Sequence, residues 1–193
     1  MKTNVRAYTS KELLDRVRHL HNFTHFPKED WFLFVRSKED QSNVFDDKMY
    51  HFREEKFQRV FSCTTNSGSY GLLNFFKWNK KGTFILKSDR WFYDGWKRGK
   101  HKGRMNAWVQ NRMVRGYRDN DKDLKSEEGE NYTVGFFGIN IHTVTYGVKR
   151  FIKKYIGGWS VGCLVLNDTG EYFDLWDKTK KTDPITICLI KEF

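Results

Sequence analysis

The chain has 193 residues and a formal net charge of +11, and its length can bury one sizeable hydrophobic core. Hydrophobic residues make up 38% and aromatic residues 17% of the chain, a composition that excludes disorder and predicts one domain over residues 1–193. No apolar run approaches the roughly 20 residues of a membrane span, and the first residues lack the apolar segment of a secretory signal, so we expect synthesis in the cytoplasm and no membrane span.

The first predicted element is a short helix within an N-terminal helical segment, residues 1–27. Thr9 precedes Glu12 by three residues, which is the spacing of a capping box, and apolar residues follow at helical intervals. In the remaining core, residues 28–193, apolar and aromatic runs of strand length alternate with turn residues. The predicted strands up to residue 114 are "WFLFVRS", "FQRVFSCTT", "GLLNFFKW", "GTFILKS", "RWFYDGW" and "NAWVQNRMV".

The C-terminal third continues this pattern. The polar segment "RDNDKDLKSEEGEN" predicts an exposed loop, and "TVGFFGINIH" predicts a strand. A loop through Gly157 and Gly158 leads to a short helix capped near Asn167 or Asp168, and "PITICLI" predicts the last strand. Together these elements predict a β-rich α+β fold with a few short helices.

The basic charge is concentrated in one stretch, residues 77–118. Thirteen Lys or Arg residues stand there against two Asp, so this stretch alone carries a net charge of +11. Two interpretations stay open: a surface that binds nucleic acid or another polyanion by phosphate neutralisation and stacking, or a solvated basic face over buried aromatic side chains. The interleaved aromatic residues are Trp78, Trp91, Phe92, Tyr93, Trp96 and Trp108.

Three widely separated cysteines do not form a disulfide framework or a metal-binding pair, so a reducing compartment is expected. Cys63 and Cys188 lie in apolar strand patterns and are predicted to be core thiols. The histidines at 19, 21 and 25 cannot all lie on one helical face, and no cysteine or carboxylate completes a ligand set. We therefore predict neither a metal nor a cofactor.

The segment "WSVGC" places Cys163 after Ser160 and Gly162, with His142 twenty-one positions earlier at the end of an apolar run. A cysteine nucleophile needs a neighbouring base and donors for the oxyanion, and here His142 and the N–H groups of Gly162 and Cys163 can supply them. If His142 stabilises the thiolate, Cys163 should react with iodoacetamide well below the free-thiol pKa of about 8.5. A buried thiol and a packed histidine are the structural alternative.

The order "INIH" and then "GGWSVGC" resembles the signature of the L,D-transpeptidase (YkuD-like) family, in which a histidine precedes Ser or Thr, one residue, Gly and Cys. Upstream, "FSCTTNSGSYGLL", "KGTFILK" and "GKHKGRMNAWVQNRMVRGYRDND" resemble a branch found in phage and bacterial proteins, so the likeness covers about residues 30–190. It implies a mixed β-sandwich or sheet with few helices and acyl transfer on peptidoglycan stem peptides at the bacterial cell wall. The acceptor would be an amine in a transpeptidase, or water in a carboxypeptidase or endopeptidase.

By this resemblance, Cys163 is the nucleophile that forms the thioester acyl-enzyme and His142 is its base. Ser160 and Gly162 shape the oxyanion site, and a backbone carbonyl near Thr143 orients the imidazole.

Two positions depart from the family pattern. Val161 and Val165 stand where the family usually has His and Arg or Asn, so a carboxylate would have to be recognised from elsewhere. Arginine binds carboxylates in bidentate fashion, which makes the basic stretch the expected source. The predicted substrate-binding residues are His101, Arg112, Arg115, Arg118 and Trp159.

Two other classes of protein remain open at this stage. One is a nucleic-acid or polyanion binder that uses the basic aromatic stretch and keeps Cys163 in the core. The other is a non-catalytic, wall-docking protein that has the fold without the activity. A wall enzyme without its own signal would be released or delivered, as a phage lysis protein or a toxin is.

Overall fold

The fold is built from eleven strands and three α-helices within the residues that the computed structural model describes, which are 5–39, 41–77, 79–147 and 149–193. The helices are α1 (Ser10–Arg18), α2 (Ser69–Asn74) and α3 (Thr169–Lys178), with one 3-10 helix at Phe75–Lys77. The strands are β1 (Asp30–Arg36), β2 (Asp47–Arg53), β3 (Lys56–Thr64), β4 (Thr83–Leu86), β5 (Arg90–His101), β6 (Met105–Gln110), β7 (Val114–Asp119), β8 (Thr133–Gly135), β9 (Ile141–His142), β10 (Leu164–Leu166) and β11 (Ile185–Lys191).

Eight of these strands close into a mixed barrel, in the order β1-β11-β5-β6-β9-β10-β3-β2. The pairs β1 with β11 and β9 with β10 are parallel, and the other neighbouring pairs of the barrel are antiparallel. A separate three-stranded sheet has the order β4-β7-β8. The β-rich α+β class expected from the sequence is confirmed.

Strand β1 is buried on both faces because it separates two hydrophobic cores. Phe32 and Phe34 point into the first core, which also receives one face of α3, whereas Leu33 and Val35 point into the second core. This alternation follows from the two-residue period of a strand. Leu13 and other apolar residues of α1 complete the second core, so α1 covers the outer face of the barrel at β1.

Several elements that were predicted from local sequence signals are confirmed. Thr9 and Glu12 form the capping box at the start of α1, and Asp168 caps α3 by accepting from the N–H of Glu171. The strands predicted around β1, β3, β4, β5 and β11 are present. Cys63 and Cys188 are completely buried, as expected of core thiols.

The segment "GLLNFFKW" was predicted as a strand, and this prediction is wrong for its described residues. They form α2 and the 3-10 helix, in which Leu72 and Phe75 are buried while Leu73 and Phe76 are exposed. Buried residues three positions apart are typical of a helix. In a run this short, the apolar spacing does not distinguish a helix from a strand. Strands β2, β7 and β10 were missed, and "TVGFFGINIH" is divided into the short strands β8 and β9.

The aromatic residues of the basic stretch lie mainly in the cores. Trp91, Trp96 and Trp108 are at most 2% exposed and Phe92 is buried, so these rings cannot stack on nucleotide bases. Tyr93 is half-buried, and Trp78 lies outside the described residues. Most of the aromatic residues that the nucleic-acid interpretation assigned to base stacking are therefore buried and unavailable for it. Across the described part of the chain, no helix is both long and apolar enough to cross a membrane.

Asp30 joins three parts of the barrel at the start of β1. Its carboxylate accepts hydrogen bonds from His51 at 2.7 Å, Arg53 at 3.0 Å and Thr182 at 3.0 Å, and the residue is 2% exposed. Burial alone would raise the pKa of Asp30, but these partners outweigh it and lower the pKa to about 2. A depressed carboxyl pKa stabilises the folded state above the unfolded pKa, and this stability is lost as the pH falls towards 2.

We expect Asp30→Asn to lower the free energy of unfolding at pH 7 by about 2 kcal/mol, because the folded state loses a stabilised carboxylate. Urea unfolding at pH 7 measures this loss. Asp174→Asn is the control, because Asp174 forms an exposed pair with Arg150 and should change the free energy little. The difference between wild type and Asp30→Asn should shrink as the pH is lowered from 4 to 2, and a constant difference would contradict the assignment.

Candidate functional site

The site forms where β9 and β10 run side by side. In this parallel pair Leu164 lies opposite Ile141 and Val165 lies opposite His142. Cys163 immediately precedes β10 and is therefore adjacent to Asn140, whose backbone N–H donates to the Cys163 Sγ at 3.5 Å. The pairing brings the predicted nucleophile and the predicted base together at one end of the two strands.

A second histidine completes the cluster. His101, at the end of β5, stacks on His142 with ring centroids 4.2 Å apart and planes inclined by 26°. One ring nitrogen of each histidine and the Cys163 Sγ all lie within 4.8 Å of one another. We name these three residues the Cys–His–His cluster. His101 was expected to bind substrate, and the structure places it beside the thiol.

Hydrogen bonds define which nitrogen of each ring is engaged. The Nδ1–H of His142 donates to the Thr143 carbonyl at 2.7 Å, which is the orienting bond that the family resemblance implied. Its Nε2 is buried and has no hydrogen-bond partner among the described residues. His101 Nδ1 is 2.9 Å from the side-chain amide nitrogen of Asn140. The side-chain oxygen of Asn140 accepts a hydrogen bond from the Gln110 backbone N–H at 3.3 Å.

Burial keeps the cluster uncharged. Desolvation, then His101, and less strongly Lys102, lower the pKa of His142 to about 3, and desolvation and Lys102 lower the pKa of His101 to about 4. Burial raises the pKa of the Cys163 thiol to about 11. In the resting site a neutral thiol therefore faces neutral imidazoles. This is the opposite of the low thiolate pKa that a His-stabilised thiolate would have.

Ser160 and Gly162 build the turn that carries Cys163. The Ser160 hydroxyl donates to the Cys163 carbonyl at 2.8 Å and accepts from the Gly162 N–H at 3.2 Å. The Gly162 N–H was expected to hold an oxyanion, but this bond already occupies it, so the Cys163 N–H is the remaining candidate of the two. Gly162 has φ +129°, and a Cβ there would lie 2.5 Å from the Phe84 carbonyl oxygen, so the turn requires glycine.

The thiol opens into a pocket of about 310 Å³ that runs from the barrel to the three-stranded sheet. Phe84, Phe137 and Trp159 supply apolar walls, and Lys102 and Arg118 are the cationic residues among its lining side chains. The described lining contains no acidic residue. Such a pocket accommodates a partly apolar ligand that carries a negative charge.

Arg118 is held in place at the far wall. Its Nη1 donates to the Gly82 carbonyl at 3.2 Å, and its guanidinium lies 5.2 Å and 5.1 Å from the ring centres of Phe84 and Phe137. Those two rings stack on each other with centroids 4.3 Å apart. These contacts orient the guanidinium in the pocket lining before any ligand binds.

The other predicted arginines lie elsewhere. Arg112 is exposed and pairs with Asp94 at 3.2 Å, and neither Arg112 nor Arg115 lines the pocket. Arg115 and Arg118 are three positions apart in β7, and side chains at an odd spacing in a strand point to opposite faces. The Arg115 guanidinium lies 5.3 Å from the Tyr132 ring instead.

The site residues that were not predicted include the pocket walls Phe84 and Phe137 and the polar residues Lys102 and Asn140. Asn140 stands two positions before the histidine in "INIH", and this position was the available signal, whereas nothing in the local sequence distinguishes Lys102 from its basic neighbours. Val161 does line the pocket, but Val165 is completely buried and packs with Phe45. A polar contact to substrate from position 165 is therefore absent for a structural reason.

The fold and the site define a β-rich α+β protein with a Cys–His–His cluster, of which His101 and Cys163 line an anion-favouring pocket. Comparison with protein-family models, with curated proteins and with solved structures gives no match to this chain. The geometry of the cluster and pocket is therefore the basis for the functional conclusion.

We expect Cys163 in the folded protein to react with iodoacetamide about 100-fold more slowly at pH 8 than a free thiol does, because a pKa of about 11 leaves little thiolate. Mass-mapped labelling between pH 6 and pH 10 measures the rate, with glutathione as the reference thiol. The rate should still be rising at pH 10. Fast labelling at pH 6 would show a preformed thiolate–imidazolium pair instead.

Proposed function

We propose that the protein is a cysteine-dependent acyl-transfer enzyme with Cys163 as the nucleophile and His142 as the general base. One observation carries this proposal: the β9–β10 pairing brings a His142 ring nitrogen and the Cys163 Sγ within 4.8 Å while the Thr143 carbonyl holds Nδ1. Nε2 is then the nitrogen with a free lone pair, which is the requirement for a base next to a nucleophile.

The neutral resting state fits proton transfer during attack. As Sγ attacks a carbonyl carbon, its proton moves to His142 Nε2 and the carbonyl electrons move to oxygen, where the Cys163 N–H is available as a donor. Collapse of the tetrahedral intermediate expels an amine, which takes the proton from His142 and leaves a thioester. An acceptor amine or water then gives a proton to Nε2 and attacks the thioester, and the thiol is restored.

The substrate class that we propose is the peptidoglycan stem peptide, cleaved before D-alanine. The sequence resemblance of "INIH" and "GGWSVGC" to L,D-transpeptidases suggests this class, and the pocket supports it through Arg118 and Lys102, which can receive a carboxylate. We further propose that the barrel and the small sheet are a variant of the L,D-transpeptidase fold. Action at the bacterial cell wall follows from this substrate.

Cys163→Ala should abolish processing of purified muropeptides while changing the melting temperature by less than about 4 °C, because Cys163 is half-buried and contributes little packing. Mass spectrometry would show loss of D-alanine or a new cross-link with wild type and neither with the variant. His142→Gln should lower the rate at least about 1,000-fold, and the double variant should be no slower than Cys163→Ala. Wild-type turnover by Cys163→Ala would end the cysteine-enzyme proposal, and unchanged muropeptides with wild type would exclude this substrate.

Arg118→Gln should raise KM for a stem peptide with a free C-terminal carboxylate by about 10-fold to 100-fold, because a charge-assisted hydrogen bond is lost. Arg112→Gln is the matched control, since that arginine lies outside the pocket and should leave KM unchanged. A stem peptide with a C-terminal carboxamide should bind weakly to wild type and to Arg118→Gln alike. Equal KM values for the two variants on the carboxylate substrate would remove Arg118 from recognition.

A further inference from the structure

We propose that the Cys–His–His cluster is also a binding site for zinc, and that a bound zinc ion reversibly blocks the Cys163 thiol. The donor atoms of His101, His142 and Cys163 all lie within 4.8 Å of one another, and no other group of described His, Cys, Asp or Glu residues has ligand atoms placed in this way. Two imidazoles and one thiolate form a ligand set that zinc binds in proteins, with a fourth position left for water.

A second observation points to the same ligand. His142 is completely buried, and its Nε2 has no hydrogen-bond partner among the described residues. Among the described residues, the neighbouring thiol has two long hydrogen bonds, 3.5 Å from the Asn140 N–H and 3.8 Å to the Gly138 carbonyl. A metal ion would use the unpaired lone pair. The bond from Nδ1–H to the Thr143 carbonyl is the outer-shell support that metal-bound histidines usually have.

The geometry allows closure around the ion with small movements. Zinc binds nitrogen at about 2.0–2.1 Å and sulfur at about 2.3 Å, so tetrahedral donors lie roughly 3.5 Å apart and the three groups need to approach by about 1 Å. His101 would bind through Nε2, because Asn140 already contacts its Nδ1. The His101 proton then lies on Nδ1. To accept from it, the Asn140 side chain turns its amide oxygen towards the ring and loses the 3.3 Å hydrogen bond from the Gln110 N–H.

The ligand chemistry selects the metal. Thiolate and imidazole ligands suit zinc, whereas magnesium and calcium need oxygen ligands, and no carboxylate belongs to the cluster. Lys102 lines the same pocket and repels a cation, which favours binding that can be reversed.

His101 and Cys163 line the pocket, so an ion would reach the cluster from that side. On binding, Cys163 releases its proton to solvent and its sulfur lone pair goes to the metal, so the sulfur can no longer attack a carbonyl. The blocking effect rests on the proposed function, whereas the binding itself does not.

Cobalt binding to the metal-free, 193-residue protein tests the site. One equivalent of Co²⁺ should produce a thiolate-to-cobalt charge-transfer band with intense visible bands of tetrahedral geometry, and one equivalent of Zn²⁺ should remove them. Cys163→Ser should lose the charge-transfer band, and His101→Gln should weaken binding by at least about 10-fold. His21→Gln is the control, because His21 is exposed and lies outside the cluster.

Wild-type protein alone gives a second measurement that does not depend on any variant. Cys63 and Cys188 are completely buried, so Cys163 is the thiol that iodoacetamide reaches in the folded protein, and one equivalent of Zn²⁺ should slow its labelling at least 10-fold. No charge-transfer band with excess Co²⁺, or a band retained in Cys163→Ser, would overturn the zinc site.

The two proposals fail in different ways. Metal binding with no processing of muropeptides would exclude the proposed substrate and leave the zinc site in place. Processing that zinc inhibits at one equivalent supports the blocking role, whereas processing that requires zinc would overturn that role.

Discussion

The parallel pairing of β9 with β10 is the contact on which the rest of the site depends. It consists of two residue pairs, too few to be stable alone, and it persists because β6 pairs with one side at Ile141 and β3 with the other at Leu166. Further bonds fasten it, since the Thr143 hydroxyl donates to the Leu166 carbonyl at 3.1 Å. Closure of the barrel is therefore what brings a thiol and an imidazole side by side.

The same burial that holds the strands also determines the chemistry. The site has a low dielectric constant and disfavours charge on the thiol and on both imidazole rings. The cluster is therefore uncharged until a substrate or a metal ion binds. The two proposed ligands, a substrate carbonyl and a zinc ion, would both act on this neutral state. A carbonyl compound would draw the thiol proton onto His142, and a zinc ion would replace that proton, so the two would compete for one sulfur.

The small sheet contributes the other half of the pocket. The Phe84 N–H of β4 donates to the Val161 carbonyl at 3.3 Å, which joins the three-stranded sheet to the turn before Cys163. The adjacent strand β7 then carries Arg118 to the pocket wall, beside the stacked rings of Phe84 and Phe137. The glycine at position 162 is what permits this close approach of the sheet and the turn.

The sequence by itself determined the elements whose signals are local: the capping box of α1, the cap of α3, and the apolar runs of strand length that form β1 and β11. It also identified Cys163 and His142 as a pair through the spacing of "INIH" and "WSVGC". Only the tertiary structure decided that His101 stacks on His142, that the Gly162 N–H is already used, and that Arg118 rather than Arg112 faces the pocket. The reason is physical: caps and periodicity depend on residues a few positions apart, whereas register, burial and pKa depend on strands that meet only when the barrel closes.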